Sequence, residues 1–154
     1  VLHLACHGLA EQELGNFFGS LALAPGPKAD DPDDDGFLTL SDIHALDLKR
    51  CELAVLSACE TNLGPQQKGE GTFALSRAFL IAGARRVVAS NWVVDDEAAA
   101  SLVSVYCTLL AKAEKEGKPV DYAGALRDAK RWVRSQDKWK APYYWAALVL
   151  MGPR

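Results

Sequence analysis

Two short stretches of the chain place residues that could do cysteine chemistry at the end of an apolar run. Residues 53–58 lead to Cys59, and residues 1–6 lead to His7 and Gly8. A histidine within hydrogen-bond reach can generate the thiolate of a cysteine and later protonate the leaving group. The glycine lets its backbone N–H approach a substrate, so the N–H groups of Gly8 and Cys59 suit an oxyanion hole. His7 and Cys59 are 52 positions apart in the sequence. Each residue alone is also compatible with a structural role, as a core thiol or a hydrogen-bonded strand-end histidine.

The elements that must position these residues can be predicted from the same apolar runs. Short apolar runs closed by turn residues are typical of buried strands in parallel sheets, whose carboxyl ends bind ligands. The order of strand, hairpin with short helix, strand, helix, strand, two helices and strand predicts an α/β layered fold, with a mostly parallel sheet and helices on both faces. The expected elements are a hairpin of residues 19–24 and 37–40, a short helix capped by Ser41, helices over 70–82, from about 95 to 116 and from 121 to 136, and a last strand over 145–151.

Composition restricts the classes of partner. The chain has 154 residues, 49% of them hydrophobic, which suffices for one domain with a real core. A formal net charge of -3 without a basic stripe argues against direct contact with nucleic acid or an anionic membrane, and no apolar run reaches the about 20 residues of a membrane span. The four cysteines lie in apolar or helical contexts, which predicts reduced thiols and a cytoplasmic protein.

An acidic segment offers a competing site. Asp31 to Asp42 matches the spacing of a calcium-binding loop, with aspartate in place of the final glutamate. The Pro25-Gly26-Pro27 block removes the entering helix, and a solvated acidic loop is the alternative. A zinc site of His3, Cys6, His7 and Cys59 is disfavoured because no second paired spacing supplies ligands, so no metal or other cofactor is expected.

The chain resembles a CHAT domain, the caspase-like cysteine peptidase domain often attached to tetratricopeptide repeats in bacteria. The matching motifs cover nearly all of the sequence: HLACHG at 3–8, DGFLT at 35–39, LSACET at 56–61, GEG at 69–71, RAFLIAGA at 77–84, VVASNW at 87–92 and YWAALVLMG at 144–152. The resemblance implies a caspase-hemoglobinase fold with His7 as the catalytic base and Cys59 as the nucleophile. The family has further strands before the histidine strand, so residues 1–154 are expected to form the C-terminal portion of such a domain.

The resemblance also implies a function. We expect a cysteine endopeptidase that cleaves protein or peptide substrates in a bacterial regulatory or defence pathway, with tetratricopeptide repeats in the same or a partner chain. Relatives in the caspase clan often line the first specificity pocket from the region of Asp95 and Asp96, which implies a basic residue before the scissile bond. Helix capping is the alternative role for these two acids. The alternative function is a non-catalytic caspase-like interaction or scaffold module.

Overall fold

The computed structural model describes residues 1–9, 20–24, 35–57 and 74–153. Within these ranges the chain forms seven strands, five α-helices and one 3-10 turn. The strands are β1 (Leu2–Leu4), β2 (His7–Leu9), β3 (Ser20–Ala22), β4 (Phe37–Thr39), β5 (Ala54–Leu56), β6 (Val87–Ser90) and β7 (Leu148–Met151). The helices are α1 (Leu40–Ala45), α2 (Ala74–Ile81), α3 (Asp96–Lys115), α4 (Tyr122–Ser135) and α5 (Pro142–Trp145), and the 3-10 turn is Asp137–Trp139.

A mixed sheet of four strands forms the centre of the domain, in the order β1-β5-β6-β7. The first three strands run parallel, and β7 pairs antiparallel to β6. The parallel part of the sheet confirms the α/β fold that the alternation of apolar strands and helices predicts. It also brings the carboxyl ends of β1, β5 and β6 to one edge, which is where such sheets bind ligands.

Alternate residues of the central strands pack into two separate cores. On one face, side chains of β5, β6 and β7 pack with α3 and α4, and this core includes Val55, Val88, Leu148, Leu102 and Val133. On the other face they pack with α1 and α2, in a core that includes Ala54, Leu56, Val87, Ile43 and Phe79. Because both faces of the sheet are covered, its strands are almost continuously apolar.

A second sheet of three antiparallel strands has the order β2-β3-β4. The pairing of β3 with β4 confirms the predicted hairpin, and its register places Leu21 opposite Leu38. The strand β2 was not predicted, because only three residues with a central glycine carry too little apolar pattern to indicate a strand. It pairs with β3 and so joins the histidine segment to the hairpin.

The cap of α1 differs from the prediction. Thr39, not Ser41, is the N-cap residue: its side chain accepts a hydrogen bond from the Asp42 N–H at 3.3 Å, and the Asp42 carboxylate accepts from the Thr39 N–H at 2.8 Å. This reciprocal pair is a capping box, in which an acid three residues after the threonine selects the start of the helix. The Thr39 hydroxyl also donates to the Asp42 carboxylate at 2.6 Å, and this bond, together with the one from the Thr39 N–H, holds the pKa of the Asp42 carboxyl below its usual value.

The remaining helix ends follow the sequence more closely. Asp121 caps α4 as predicted, accepting from the Gly124 N–H at 2.8 Å. Gly83 follows α2 with φ 111°, and a Cβ there would lie 2.8 Å from the Lys49 backbone nitrogen, so both conformation and space require glycine. The predicted start of the last strand at Trp145 is wrong, since Pro142 favours a helical first turn and the chain becomes extended only at Leu148.

A buried arginine fixes the end of the sheet where β5 and β6 begin. Arg86 is 5% exposed, and its guanidinium donates to the Glu52 carboxylate at 3.0 Å and to the Pro153 carbonyl at 2.9 Å. The same group lies 4.2 Å from the centre of the Tyr122 ring. The guanidinium therefore connects Glu52, which precedes β5, and Pro153, which follows β7, with Tyr122 of α4.

Candidate active site

The two residues of the predicted dyad follow the paired strands β1 and β5 in the sequence. These strands are parallel neighbours in which His3 pairs with Val55 and Leu4 with Leu56. His7 follows Leu4 by three residues, and Cys59 follows Leu56 by three residues in the sequence. His7 is exposed and begins β2, beyond the carboxyl end of β1. Cys59 lies outside the described residues, so its distance from His7 remains a prediction.

Gly8 lies within β2, where it pairs with the fully buried Leu21 of β3. His7 pairs with Ala22 in the same ladder. The backbone of the histidine and the glycine is thus held by strand pairing. A backbone fixed in this way can present an N–H group without reorganisation during a reaction, which is the requirement for an oxyanion hole.

A hydrogen bond links the two strands that precede His7 and Cys59. The His3 Nε2 and Ser57 Oγ atoms lie 3.0 Å apart, in an exposed position. From the sequence, His3 was considered only as a ligand of a disfavoured zinc site, and Ser57 was not identified. Alternation of side chains places Ser57 on the same face of its strand as Val55, but the contact with His3 follows only from the pairing of His3 with Val55, which the structure supplies.

A cleft of about 430 Å³ opens between β1 and α3. His3, Ala5 and Ser57 line it from the strands, and Asp96, Ser104 and Cys107 line it from the helix. Ser57 and Asp96 also line a smaller cavity of about 40 Å³ that reaches Ser90 at the end of β6. The cleft therefore lies beside the edge strand β1 and reaches the carboxyl ends of β1 and β5, and its residue Ala5 is two positions before His7.

The two predicted substrate-binding acids occupy different positions. Asp95 is the N-cap of α3, where its Oδ1 accepts a hydrogen bond from the Ala98 N–H at 2.9 Å. Asp96 is the first residue of the helix, is exposed and lines the cleft. Capping therefore accounts for one Asp95 oxygen, and the Asp96 carboxylate is the one that faces the space available to a ligand.

The other cysteines differ from an activated nucleophile. Cys6, Cys51 and Cys107 are free thiols and half-buried. Burial raises the pKa of the Cys6 and Cys107 thiols above their usual value, so both resist forming the thiolate at neutral pH. These two residues are internal controls for any experiment that tests the reactivity of Cys59.

The acidic segment is only partly described. Asp31 and Asp33 lie outside the described residues, Asp35 accepts from the Phe37 N–H at 2.8 Å, and Asp42 belongs to the capping box. Within the described ranges no group of three or more His, Cys, Asp or Glu residues is arranged to hold a metal ion. Among the helices of the same ranges, none has the length and apolar character that crossing a membrane requires.

Comparison with known proteins identifies the family. The sequence model of the CHAT domain matches residues 1–153. Tetratricopeptide repeat protein 28 from Homo sapiens is 30% identical over 115 residues, which cover 75% of this chain and 4% of that protein. The chain therefore spans a small part of the length of this relative, whose name records the repeats expected beside such a domain. With a match over nearly its whole length and an α/β fold consistent with a caspase-like domain, the chain belongs to the CHAT domain family.

Proposed function

We propose that this chain is a cysteine endopeptidase domain in which His7 and Cys59 form the catalytic dyad. The observation that supports the proposal best is the register of β1 and β5: the two residues follow the paired Leu4 and Leu56 by the same number of positions. Adjacent parallel strands end at one edge of the sheet, so residues at equal offsets beyond a pair are expected to lie near each other. Membership of a caspase-like family supports the same assignment.

The proposed reaction uses groups of the chain alone. His7 takes the proton of the Cys59 thiol, and the thiolate attacks the carbonyl carbon of a peptide bond. The backbone N–H groups of Gly8 and Cys59 donate to the oxyanion that forms. His7 then gives its proton to the leaving amine, and water attacks the acyl-enzyme to release the acid product and restore the thiol.

The cleft suggests the class of substrate. A chain segment bound along the carboxyl ends of the strands would bring a side chain to the Asp96 carboxylate, which favours lysine or arginine before the scissile bond. We include Asp95 in the proposed pocket because it is adjacent, although its capping bond leaves it less available. The free thiols of Cys6, Cys51 and Cys107 support a reducing compartment such as the cytoplasm as the place of action.

Labelling with a peptide acyloxymethyl ketone that carries arginine next to the electrophile tests this proposal. Mass spectrometry of the digested protein identifies which of the four cysteines is modified. We expect rapid modification of Cys59 and little of Cys6 or Cys107, whose burial suppresses the thiolate. The variant His7→Ala should lower the rate at Cys59 by about 100-fold, the lower range of general-base contributions.

The matched control for the histidine is His44→Ala, which changes an exposed histidine in the last turn of α1. It should leave the labelling rate unchanged. Equal modification of all four cysteines, or a Cys59 rate that does not depend on His7, would refute the proposed dyad.

The comparison with tetratricopeptide repeat protein 28 favours one other function. That relative is about 25 times longer than the matched segment, given the 4% coverage, so the domain there is a small part of a repeat protein. A non-catalytic module that docks partners beside repeats is the second candidate. If the domain is such a module, Cys59→Ala should leave partner binding and cellular function unchanged. If it is a peptidase, the same variant should lose its proteolytic activity.

A further inference from the structure

A second groove lies beside β7, which is the edge strand of the central sheet opposite to β1. It has a volume of about 370 Å³ and runs between α4 and the segment from α5 to β7. Leu126, Trp145 and Leu150 supply apolar lining. The volume falls within the range of sites that hold a few side chains of a ligand, roughly 300–1,000 Å³. Neither the dyad nor the predicted specificity pocket uses these residues.

The rim of this groove carries four cations from one helix. Arg127, Lys130, Arg131 and Arg134 line it at spacings of three and four residues, so they lie on one face of α4. The acid among them in the sequence is Asp128, whose carboxylate lies 2.9 Å from Arg127 and 3.6 Å from Arg131. Four positive charges against one negative charge form a local excess in a chain whose formal net charge is -3.

Two of these cations lie beside the apolar surface. Lys130 is half-buried, with its Nζ 3.5 Å from the Ala146 carbonyl, and burial lowers the pKa of its ammonium group. The Arg134 guanidinium lies 5.5 Å from the centre of the Trp145 ring. Like charges on neighbouring helical positions repel each other, and desolvation adds to this cost at Lys130. An anionic ligand in the groove would relieve both effects.

The dimensions and lining select the kind of anion. From Ala123 to Arg134 the helix rises about 16 Å at 1.5 Å per residue, the length of about five residues of extended peptide. The apolar side chains Leu126, Trp145 and Leu150 line the same groove as the cations and suit a hydrophobic side chain, which a phosphate backbone lacks. The net negative charge of the chain also opposes a long polyanion that extends beyond the groove.

We propose that the α4 groove is a docking site for an acidic peptide segment of a partner protein, with one or two apolar side chains inserted against Trp145 and aspartate or glutamate on either side. The acids would pair with Arg127, Arg131 and Arg134 at the rim. This interaction does not involve His7 or Cys59. The docking proposal can therefore be tested independently of the proposed peptidase activity.

Fluorescence anisotropy with a synthetic peptide tests the proposal on the 154-residue chain. The probe is fluorescein-labelled Gly-Glu-Asp-Phe-Leu-Glu-Asp-Gly, and a second peptide replaces its Phe-Leu pair by Ser-Ser. We expect the first peptide to bind with a Kd below about 1 mM at 0.15 M salt, and the second to bind at least about tenfold more weakly because it leaves the apolar surface uncovered. Raising the salt concentration to 0.5 M should weaken the first complex, since the rim contacts are ionic.

Charge reversal locates the site. The double variant Arg131→Glu/Arg134→Glu should weaken binding by about tenfold or more, through the loss of two charge-assisted contacts. The matched control is Lys115→Glu, which reverses an exposed charge at the end of α3. Thermal unfolding of each variant shows whether it is folded, and Trp145→Leu, which keeps an apolar side chain, provides a second variant if the charge reversal fails to fold.

Each outcome of this experiment decides the proposal. Binding that depends on the Phe-Leu pair, and on Arg131 and Arg134 but not Lys115, supports it. No binding of the first peptide up to 1 mM, or equal weakening by the Lys115 control, overturns it. A 20-base-pair DNA duplex that binds more tightly than the peptide and shows the same sensitivity to the rim variants also overturns it, because the groove would then be a phosphate site.

Discussion

Replacing Asp95 by alanine should lower the stability of the domain, whereas replacing Asp96 should change the substrates that it accepts. The Asp95 carboxylate accepts from the Ala98 N–H at 2.9 Å as the N-cap of α3. Loss of such a cap costs about 1 kcal/mol, within a range of about 0.5–2 kcal/mol. For a domain of 154 residues we expect Tm to fall by about 2–4 °C per kcal/mol.

Asp96 makes a different contribution. It is exposed at the first position of α3, so its replacement removes only a favourable interaction with the helix dipole, about 0.3–1 kcal/mol. In the proposed reaction its carboxylate pairs with a basic side chain of the substrate. A hydrogen bond to a charged group contributes about 1.5–3 kcal/mol, so Asp96→Ala should reduce the preference for arginine over glutamine before the scissile bond by about 10- to 150-fold.

The two measurements are a thermal melt and a peptide-library profile, made on Asp95→Ala, Asp96→Ala and Asp96→Asn. Asparagine keeps the size of the side chain and removes its charge, so it should show the same change in profile as alanine. An Asp95→Ala variant that melts at the temperature of the wild type would refute the capping contribution. Asp96→Ala and Asp96→Asn variants that cleave arginine and glutamine substrates in the wild-type ratio would refute the role of Asp96 in specificity.

Three further predictions concern groups with defined surroundings. The Tyr106 hydroxyl is buried without a hydrogen-bond partner among the described residues, so Tyr106→Phe should raise the free energy of unfolding by about 1 kcal/mol in a denaturant titration. Burial also raises the pKa of Tyr106, so the wild type should lose stability as pH rises above about 10, by up to about 1.4 kcal/mol per unit, and the phenylalanine variant should lack this contribution. Thr39→Ala should destabilise α1 by about 1 kcal/mol at pH 7. Because the capping bonds lower the pKa of Asp42, the stabilisation that requires its ionised carboxylate should be lost as pH falls below about 4, so the difference between wild type and variant should shrink there. Ser57→Ala removes the partner of His3 and should change the free energy of unfolding by at most about 1 kcal/mol while slowing the labelling of Cys59 by about tenfold, and an unchanged labelling rate would show that the bond does not position the site.

Much of the fold could be predicted because strong local patterns agree with the tertiary structure. The strand Val87–Ser90 begins with three apolar residues and is buried at all four positions, and α4 begins at the capping residue that its sequence indicates. The errors occur where local signals are weak or compete. Ser41 and Thr39 are both good caps, and the acid at Asp42 decides between them only through the geometry of the capping box.

The candidate site could be predicted less completely, because its contacts depend on strand register. The types of His7 and Cys59 and their places after apolar runs indicated their chemistry, and the family resemblance reinforced it. The His3–Ser57 bond needed the pairing of β1 with β5, which local patterns do not fix. The basic groove was missed for a similar reason: the cations of α4 follow a helical spacing, but Trp145 comes from a segment that was predicted to be a strand.

The two ends of the central sheet are held by interactions of unequal strength, and this difference bears on where function can reside. Where β5 and β6 begin, Arg86 is buried and donates to Glu52 and Pro153, so its replacement would remove hydrogen bonds of a buried charged group, each contributing about 1.5–3 kcal/mol. At the carboxyl ends, the exposed His3–Ser57 bond contributes at most about 1 kcal/mol. Side chains at the carboxyl ends can therefore change with little loss of folding free energy, whereas the opposite end must remain intact. This asymmetry is a physical reason to seek the chemistry of the domain beside His7, and it predicts that variants there alter activity before they alter stability.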